Sequence, residues 1–144
     1  MAILHKLISI LIDWLAKSTE PKDALLCDFD RIRAELTPCD VVLVEGRSKA
    51  DNTLKTVSES EWSHAALYIG RLIDLEDKEL RIRITNHYEY EPDIPLIIEN
   101  RLGQGTIVSP LSTLEREHIR ICRPKGLANK DAHQVVRYAI SRLG

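Results

Sequence analysis

The chain is poor in cysteine and lacks the closely spaced pairs that bind metals or form disulfide scaffolds. Its 144 residues include three cysteines, Cys27, Cys39 and Cys122. Because this count is odd, the spacing is irregular and no CxxC pair occurs, the sequence argues against a disulfide framework and a zinc site. His87, His118 and His133 show no metal-like spacing either. We therefore expect free thiols in a reducing compartment, with no metal and no cofactor.

An excess of charge of either sign is also missing. Lys and Arg number 20, Asp and Glu number 22, and the formal net charge is -2. The basic residues are scattered and form no stripe interleaved with aromatic side chains, so we expect no nucleic-acid partner. With 44% hydrophobic and 29% charged residues, and no repeat or low-complexity run, the composition is that of one soluble globular domain.

No uninterrupted apolar run is long enough to span a bilayer, which takes roughly 20 residues. In the most apolar stretch, "ILHKLISILIDWLAK", Asp13 and the lack of a small-residue cleavage site argue against a signal peptide. Its apolar residues fall at helical spacing and predict an amphipathic helix: Ile3, Leu4, Leu7, Ile8, Leu11, Trp14 and Leu15. We expect this helix to pack on a cytoplasmic domain. The alternative is a helix that binds a partner or a membrane surface, as a peripheral protein does, because Trp14 suits an interface.

The first half of the chain alternates helix and strand signals. Residues 23–36 predict a helix that begins near Asp23 and ends before Pro38. "DVVLVEG" and "HAALYIG" predict two buried strands, and the polar "RSKADNTLKTVSES" between them predicts a short helix. "RLIDLEDKELRIRITNH" predicts a hairpin with its turn at "LEDKE", because Leu80 to Thr85 alternates apolar and charged residues. This excursion is then either a lid over a cleft or only a decorated hairpin.

The second half continues with strands and ends in a helix. "LIIEN", "GQGTIVSPL" and "HIRICRP" predict three more strands. "NKDAHQVVRYAISRLG" predicts an amphipathic helix with Asn129 as its cap. This order predicts an α+β fold, with a mainly antiparallel sheet or small barrel and flanking helices. We assign residues 1–36 to an N-terminal helical segment and residues 37–144 to the main domain.

One predicted strand carries a titratable residue at its start. In "HAALYIG" side chains alternate, so His64, Ala66 and Tyr68 share one face. A histidine serves as a general base when another group fixes its tautomer. Glu99 is the best candidate for that group, because it interrupts the apolar "PLIIEN" strand and a charge there is unfavourable unless it is paired. The sequence therefore predicts that His64 and Glu99 are neighbours in a shared groove.

Simpler interpretations fit the same residues. His64 is also explained as a hydrogen-bonded core residue, and Glu99 as a solvated strand end. Ser63 beside His64 suggests a serine hydrolase, but adjacent strand residues point to opposite faces, so the pair would not meet as nucleophile and base. Ser48 or Ser109 could reach His64, but no pattern singles either of them out.

Five stretches within residues 37–144 carry a wider pattern: "PCDVVLVEGRS", "SEWSHAALYIG", "PLIIEN", "GTIVSPLS" and "IRICRPKGL", followed by an apolar helix. Together they resemble the circularly permuted papain-like superfamily of NlpC type. The resemblance is closest to a bacterial amidase or peptidase branch, which also resembles a poxvirus family, and lecithin–retinol acyltransferase is a more distant relative. It implies a thiol hydrolase or acyltransferase that acts on a peptide, amide or lipid-ester substrate.

The resemblance also implies roles for particular residues. His64 matches the base of the family and Glu99 the residue that orients it. Asp40 matches the Asp of a "GD" that opens the first strand. Ser63 and Tyr68 accompany His64 in the motif of the cleft.

Two departures from the family pattern concern cysteine. Cys39 replaces the glycine of "GD", and the nucleophilic cysteine, which belongs after the final helix, has no counterpart up to Gly144. Cys122 on a strand and Cys39 are poor substitutes, and Cys27 is expected to be core. We therefore expect the domain to lack its C-terminal part and the 144-residue chain to be inactive. The alternative is a truncated or non-catalytic module that binds a partner, a peptide or a membrane surface, or that self-associates through the last helix.

Overall fold

The computed structural model describes residues 2–17, 27–89 and 91–144. Within these residues the chain forms an α+β fold with an antiparallel sheet, as the order of helix and strand signals predicts. The helices are α1 (Ala2–Ala16), α2 (Phe29–Glu35), α3 (Lys49–Ser58), α4 (Lys78–His87) and α5 (Asn129–Ile140). The strands are β1 (Val41–Glu45), β2 (His64–Arg71), β3 (Pro95–Arg101), β4 (Gly105–Pro110) and β5 (His118–Cys122).

The strands form an open sheet in the order β4-β3-β2-β1-β5, and each neighbouring pair is antiparallel. β2 lies at the centre, where Ala66 pairs with Val42 on one side and with Glu99 on the other. Most residues from Ala66 to Gly70 in β2 and all from Leu96 to Glu99 in β3 are buried, as their inner positions in the sheet require. The sheet confirms the predicted α+β class.

Two apolar clusters lie on opposite faces of the sheet. The first joins side chains of α4 and α5 to four strand residues, Ile69, Leu96, Ile98 and Val108. The second joins Leu36 and the segment 111–114 to six strand residues on the other face, Val42, Val44, Ala66, Tyr68, Ile97 and Ile119. By alternation, His64 and Glu99 belong to this second face.

The segment after β2 forms helix, so the predicted hairpin is wrong. A 3₁₀ turn, Leu72–Asp74, is followed by α4, whose N-cap Asp77 accepts hydrogen bonds from two backbone N–H groups of the first turn. The alternation of Leu80, Ile82 and Ile84 predicted a strand, but the first and last of these are also one helical turn apart. Those two are buried, whereas Ile82 is 58% exposed. α4 packs with α5 on the first face, so it is not a lid over the predicted groove.

The starts of α5 and α2 differ in how they are capped. α5 begins at Asn129, and its N-cap is Ala128, whose carbonyl already accepts the helical hydrogen bond from Ala132 at 2.9 Å. The predicted Asn129 cap is therefore wrong, and the first turn has no side-chain cap. α2 begins after the N-cap Asp28, whose carboxylate accepts a backbone hydrogen bond. The predicted start near Asp23 lies outside the described residues.

Asp40 anchors the start of β1 to β5. Its side chain is 1% exposed, and it accepts hydrogen bonds from Arg123 Nε at 2.8 Å and Nη2 at 2.7 Å. The backbone N–H of Thr37 donates to the same carboxylate at 2.8 Å. Burial raises the pKa of Asp40, but these partners together outweigh burial and hold the pKa below its usual range.

α1 confirms the predicted N-terminal helix. It packs against α3, and Ile12 approaches Gly103 in the turn between β3 and β4. Across the described parts of the chain, no helix combines the length and the apolar character that a membrane crossing requires.

Candidate functional site

β2 and β3 bring the two predicted residues together. β2 begins at His64, and β3 runs antiparallel beside it with Glu99 opposite Ala66. Residues paired across an antiparallel ladder point to the same face, and so do residues two apart in one strand. The two side chains therefore meet, and His64 Nε2 lies 2.8 Å from Glu99 Oε2. The predicted neighbourhood of these two groups is confirmed.

The carboxylate of Glu99 is buried. Its side chain is 2% exposed, whereas that of His64 is 25% exposed. This burial excludes the interpretation of Glu99 as a solvated strand end. A carboxylate in such a position destabilises the fold unless hydrogen bonds or opposite charge compensate it. His64 supplies one such partner while it remains partly open to solvent.

The second oxygen of Glu99 faces an arginine. Arg101, two residues further along β3, places Nη2 2.9 Å from Glu99 Oε1. The contact is an ion pair without hydrogen-bond geometry, so no donor among the described residues forms a directed hydrogen bond to this buried oxygen. Ser109 on β4, which pairs with Ile97, points to the same face, and its hydroxyl also interacts with the carboxylate.

The charge of Glu99 fixes the tautomer of His64. Burial is the largest single effect and raises the pKa of Glu99, but hydrogen bonds from His64 and Ser109 and the charge of Arg101 together lower that pKa to about 2. Glu99 is therefore ionised at neutral pH and accepts hydrogen bonds only. Neutral His64 then carries its proton on Nε2, which leaves a lone pair on Nδ1. Among the described residues, no hydrogen bond occupies Nδ1.

His64 and Glu99 line a cleft of about 540 Å³. Its walls come from the turn between β1 and α3, the β3–β4 turn and the segment before β5; they include Arg47, Ser48, Leu102, Gln104, Leu114 and Glu117. Arg47 Nη2 lies 3.1 Å from Glu117 Oε2, so this wall is held by an ion pair of its own. The volume is within the range of small-ligand pockets.

Asp51 supports the wall beside His64. Ser48 is the N-cap of α3: the backbone N–H of Asp51 donates to Ser48 Oγ at 3.0 Å, and the Asp51 carboxylate accepts the backbone N–H of Ser48 at 2.9 Å. Burial raises the pKa of Asp51, but hydrogen bonds from Ser48 and Ser63 and the charge of His64 together lower it. A Cβ at Gly46 would lie 2.3 Å from Asp51 Cγ, so only glycine fits against this carboxylate.

The other residues predicted for the cleft lie elsewhere or have structural roles. Ser63 directs its hydroxyl to the β1–α3 turn, where it accepts the backbone N–H of Gly46 at 3.0 Å. Tyr68 shares the sheet face of His64, as predicted, but is buried within the second apolar cluster. Asp40 lines a separate cleft of about 490 Å³ at the other end of β1. The cleft itself therefore contains only two of the predicted site residues, His64 and Glu99.

None of the three cysteines lines this cleft in the described parts of the chain. Cys39 is buried in the first apolar cluster, where its Sγ donates to the carbonyl of Ala132 at 3.0 Å and burial raises the pKa of the thiol. Cys122 pairs with Val41 and so points away from the face of His64. Cys27 is half-buried before α2, and its Sγ donates to a backbone carbonyl.

Sequence reasoning missed three residues of the site. Arg101 was detectable, because strand periodicity places residues 99 and 101 on one face. Asp51 was detectable as well, since "SKAD" matches the spacing of a capping box. Ser109 required the register between β3 and β4, which the sequence pattern does not specify.

Comparisons of the chain with family models, with curated proteins and with solved structures find no match. The described residues also contain no group of three or more His, Cys, Asp or Glu side chains arranged to hold a metal ion.

Proposed function

We propose that His64 and Glu99 are the general base and its orienting carboxylate in the active site of a papain-like thiol hydrolase or acyltransferase. The observation that carries this proposal is the 2.8 Å contact between an imidazole at a cleft surface and a carboxylate that is 2% exposed. A carboxylate buried against a histidine orients the ring and stabilises the imidazolium that forms during proton transfer. The permuted papain-like architecture belongs to the same proposal and rests on the resemblance of the sequence stretches.

The chemistry assigned to these residues is acyl transfer through a thioester. His64 Nδ1 takes the proton of a cysteine thiol, and the resulting thiolate attacks the carbonyl carbon of an amide or ester. The tetrahedral intermediate collapses as His64 returns the proton to the leaving amine or alcohol. Water or an acceptor hydroxyl then cleaves the thioester by the reverse sequence of proton transfers. Glu99 remains ionised throughout and keeps the Nε2–H group of His64 in place.

The source of the nucleophile is part of this proposal. Cys39 and Cys122 belong to the other sheet face, and Cys27, whose Sγ donates to the carbonyl of the wall residue Glu117, does not itself line the cleft. In the family that the sequence resembles, the nucleophilic cysteine follows the helix that α5 matches, and the hydrolase proposal requires a thiol at that position. The 144-residue chain alone is expected to bind substrate without turning it over.

A non-catalytic binding module is the second candidate. The observation in its favour is the absence of a cleft-lining thiol in the described parts of the chain, together with the ion pairs Arg47–Glu117 and Arg101–Glu99 across the cleft walls. A ligand of this module occupies the cleft of about 540 Å³ and leaves covalent bonds intact.

Alkylation by iodoacetamide of the complete translated product of the gene separates the two candidates. The hydrolase proposal expects one cysteine C-terminal to α5 to react faster than the others at neutral pH, and His64→Ala to slow that cysteine by roughly tenfold or more. His118→Ala is the matched control, because His118 Nδ1 contacts Glu45 Oε2 at 2.9 Å in a similar pair outside the cleft. A gene without such a cysteine, or a rate that His64→Ala leaves unchanged, supports the binding module.

A further inference from the structure

α1 exposes an unusual amount of apolar surface. Five large side chains of this helix are between 45% and 58% exposed: Leu7, Ile8, Ile10, Leu11 and Trp14. Single exposed apolar residues are common on protein surfaces, but five on one short helix form a contiguous patch. We refer to these five residues as the α1 patch.

The packing of α1 uses only one edge of its apolar surface. With 3.6 residues per turn, the apolar side chains cover an arc of roughly 200°. Ile12 and Leu15 lie at one edge and are half-buried, with Ile12 against Gly103 of the β3–β4 turn. Leu7, Ile10 and Trp14 lie toward the other edge and are exposed. The contact with α3 and this turn therefore leaves the α1 patch uncovered.

Positive charge borders the α1 patch. Lys6 lies next to the edge marked by Ile10 at helical spacing, and Lys17 directly follows the last residue of α1. Lys49 of α3 places Nζ 3.6 Å above the ring of Trp14. Against these three lysines, residues 2–17 contain one acidic side chain, that of Asp13. The local charge is thus positive on a chain whose formal net charge is -2.

We propose that α1 binds in the plane of an anionic lipid surface. Large apolar side chains, a tryptophan and bordering lysines are the composition of helices that lie at the boundary between headgroups and acyl chains. With 15 residues α1 is roughly 22 Å long, shorter than the roughly 30 Å hydrocarbon core, so it lies on the bilayer and does not cross it. A second copy of the chain is a less suitable occupant, because the same positive charges would meet across that interface.

This orientation brings the cleft of His64 close to the lipid surface. Gly103, which lies beside Ile12, is adjacent to Leu102, and Leu102 is 54% exposed and lines the cleft. The β3–β4 turn thus lies between the half-buried edge of α1 and the mouth of the cleft. The docking itself does not rest on the proposed chemistry, so a His64→Ala variant binds lipid as the unaltered chain does.

Co-sedimentation of the 144-residue chain with vesicles tests the proposal. We expect binding to vesicles of 70% phosphatidylcholine and 30% phosphatidylglycerol, and weak binding to pure phosphatidylcholine. Leu11→Asp lowers the partition coefficient on the order of tenfold, since it places a carboxylate within the apolar face. Ile82→Asp is the matched control, because Ile82 is 58% exposed on α4 and lies outside the α1 patch. Equal binding of these two variants, or no binding to the anionic vesicles, overturns the proposal.

Tryptophan fluorescence locates the contact. The chain has two tryptophans, so Trp62→Phe leaves Trp14 as the only reporter. We expect its emission to shift to the blue with anionic vesicles and to remain unchanged with neutral ones. The double variant Lys6→Gln, Lys17→Gln should show a smaller blue shift with anionic vesicles, and that shift should depend less on salt. A concentration-dependent dimer that Leu11→Asp abolishes, seen by light scattering without lipid, assigns the patch to a second copy and overturns the lipid assignment.

Discussion

His64 and Glu99 are 35 residues apart in the chain, yet their side chains meet at 2.8 Å because β2 and β3 are adjacent and antiparallel. The contact joins a partly exposed base to a buried acid, and an arginine lies on the far side of that acid. The arrangement keeps a negative charge inside the sheet at neutral pH.

The buried charge of Glu99 should make stability depend on acid. The pKa of Glu99 is about 2 in the folded chain, whereas the reference value is 4.5. The ionised carboxylate therefore contributes fully to the free energy of unfolding above about pH 4.5, and this contribution is lost as the pH falls toward 2. We expect the difference in unfolding free energy between the unaltered chain and Glu99→Gln to shrink by about 3 kcal/mol across that interval. Urea denaturation at several pH values measures it.

Glu45→Gln is the control for this acid titration. Glu45 also pairs with a histidine, but its side chain is 36% exposed, so its pH-dependent contribution is smaller. If the Glu99→Gln and unaltered chains lose stability in parallel between pH 4.5 and 2, the pKa of Glu99 is not lowered in the folded chain.

The two histidine–glutamate pairs should contain opposite neutral tautomers. Glu99 accepts from Nε2 of His64, whereas Glu45 accepts from Nδ1 of His118. Long-range proton–nitrogen NMR correlations above about pH 8, where an ordinary histidine is neutral, identify the protonated nitrogen. We expect Nε2–H for His64 and Nδ1–H for His118, and a mixture at His64 in Glu99→Ala. A proton on Nδ1 of His64 in the unaltered chain contradicts its role as a base through that atom.

Gly46→Ala should destabilise the cleft wall by about 2 kcal/mol or more. The new Cβ would lie 2.3 Å from Cγ of Asp51, which forces the carboxylate out of its cap contacts with Ser48. Asp51→Ala removes the atoms that clash, so the double variant should be no less stable than Asp51→Ala alone. Thermal unfolding of the unaltered chain, the two single variants and the double variant completes a double-mutant cycle. If the losses of stability of the two single variants simply add in the double variant, the steric explanation is contradicted.

Arg123→Ala should lower the unfolding free energy by about 2–3 kcal/mol, because it leaves the carboxylate of Asp40 buried without its cation. Arg123→Lys restores only part of the loss, since an ammonium group cannot form both contacts of the guanidinium. Arg120→Ala on β5, the strand that ends just before Arg123, is the control and should change stability by less than about 0.5 kcal/mol, as its side chain is exposed. Equal losses for Arg120→Ala and Arg123→Ala in chemical denaturation contradict the anchoring role of Asp40.

Strand periodicity was the most informative feature of the sequence. It placed His64, Ala66 and Tyr68 on one face, and the interruption of an apolar strand by Glu99 identified a partner for the imidazole. These inferences required only local alternation and the rule that a buried charge needs a counterpart.

Periodicity failed where two periods coincide or where contacts depend on register. Leu80, Ile82 and Ile84 alternate as in a strand, but Asp77 caps a helix there and only the residues one turn apart are buried. The approach of Ser109 to Glu99 depends on the pairing of β3 with β4, which is a property of the whole sheet.

The central position of β2 affects the dynamics of the pair. β4 and β5 form the sheet edges, where hydrogen bonds open by fraying, whereas the β2–β3 ladder, which starts with Ala66 opposite Glu99, has a further strand on each side. Separation of the two side chains by backbone motion thus requires a subglobal opening close in free energy to complete unfolding. Amide protons of this ladder should exchange with solvent among the slowest in the chain, so the imidazole and carboxylate stay preorganised for as long as the fold persists.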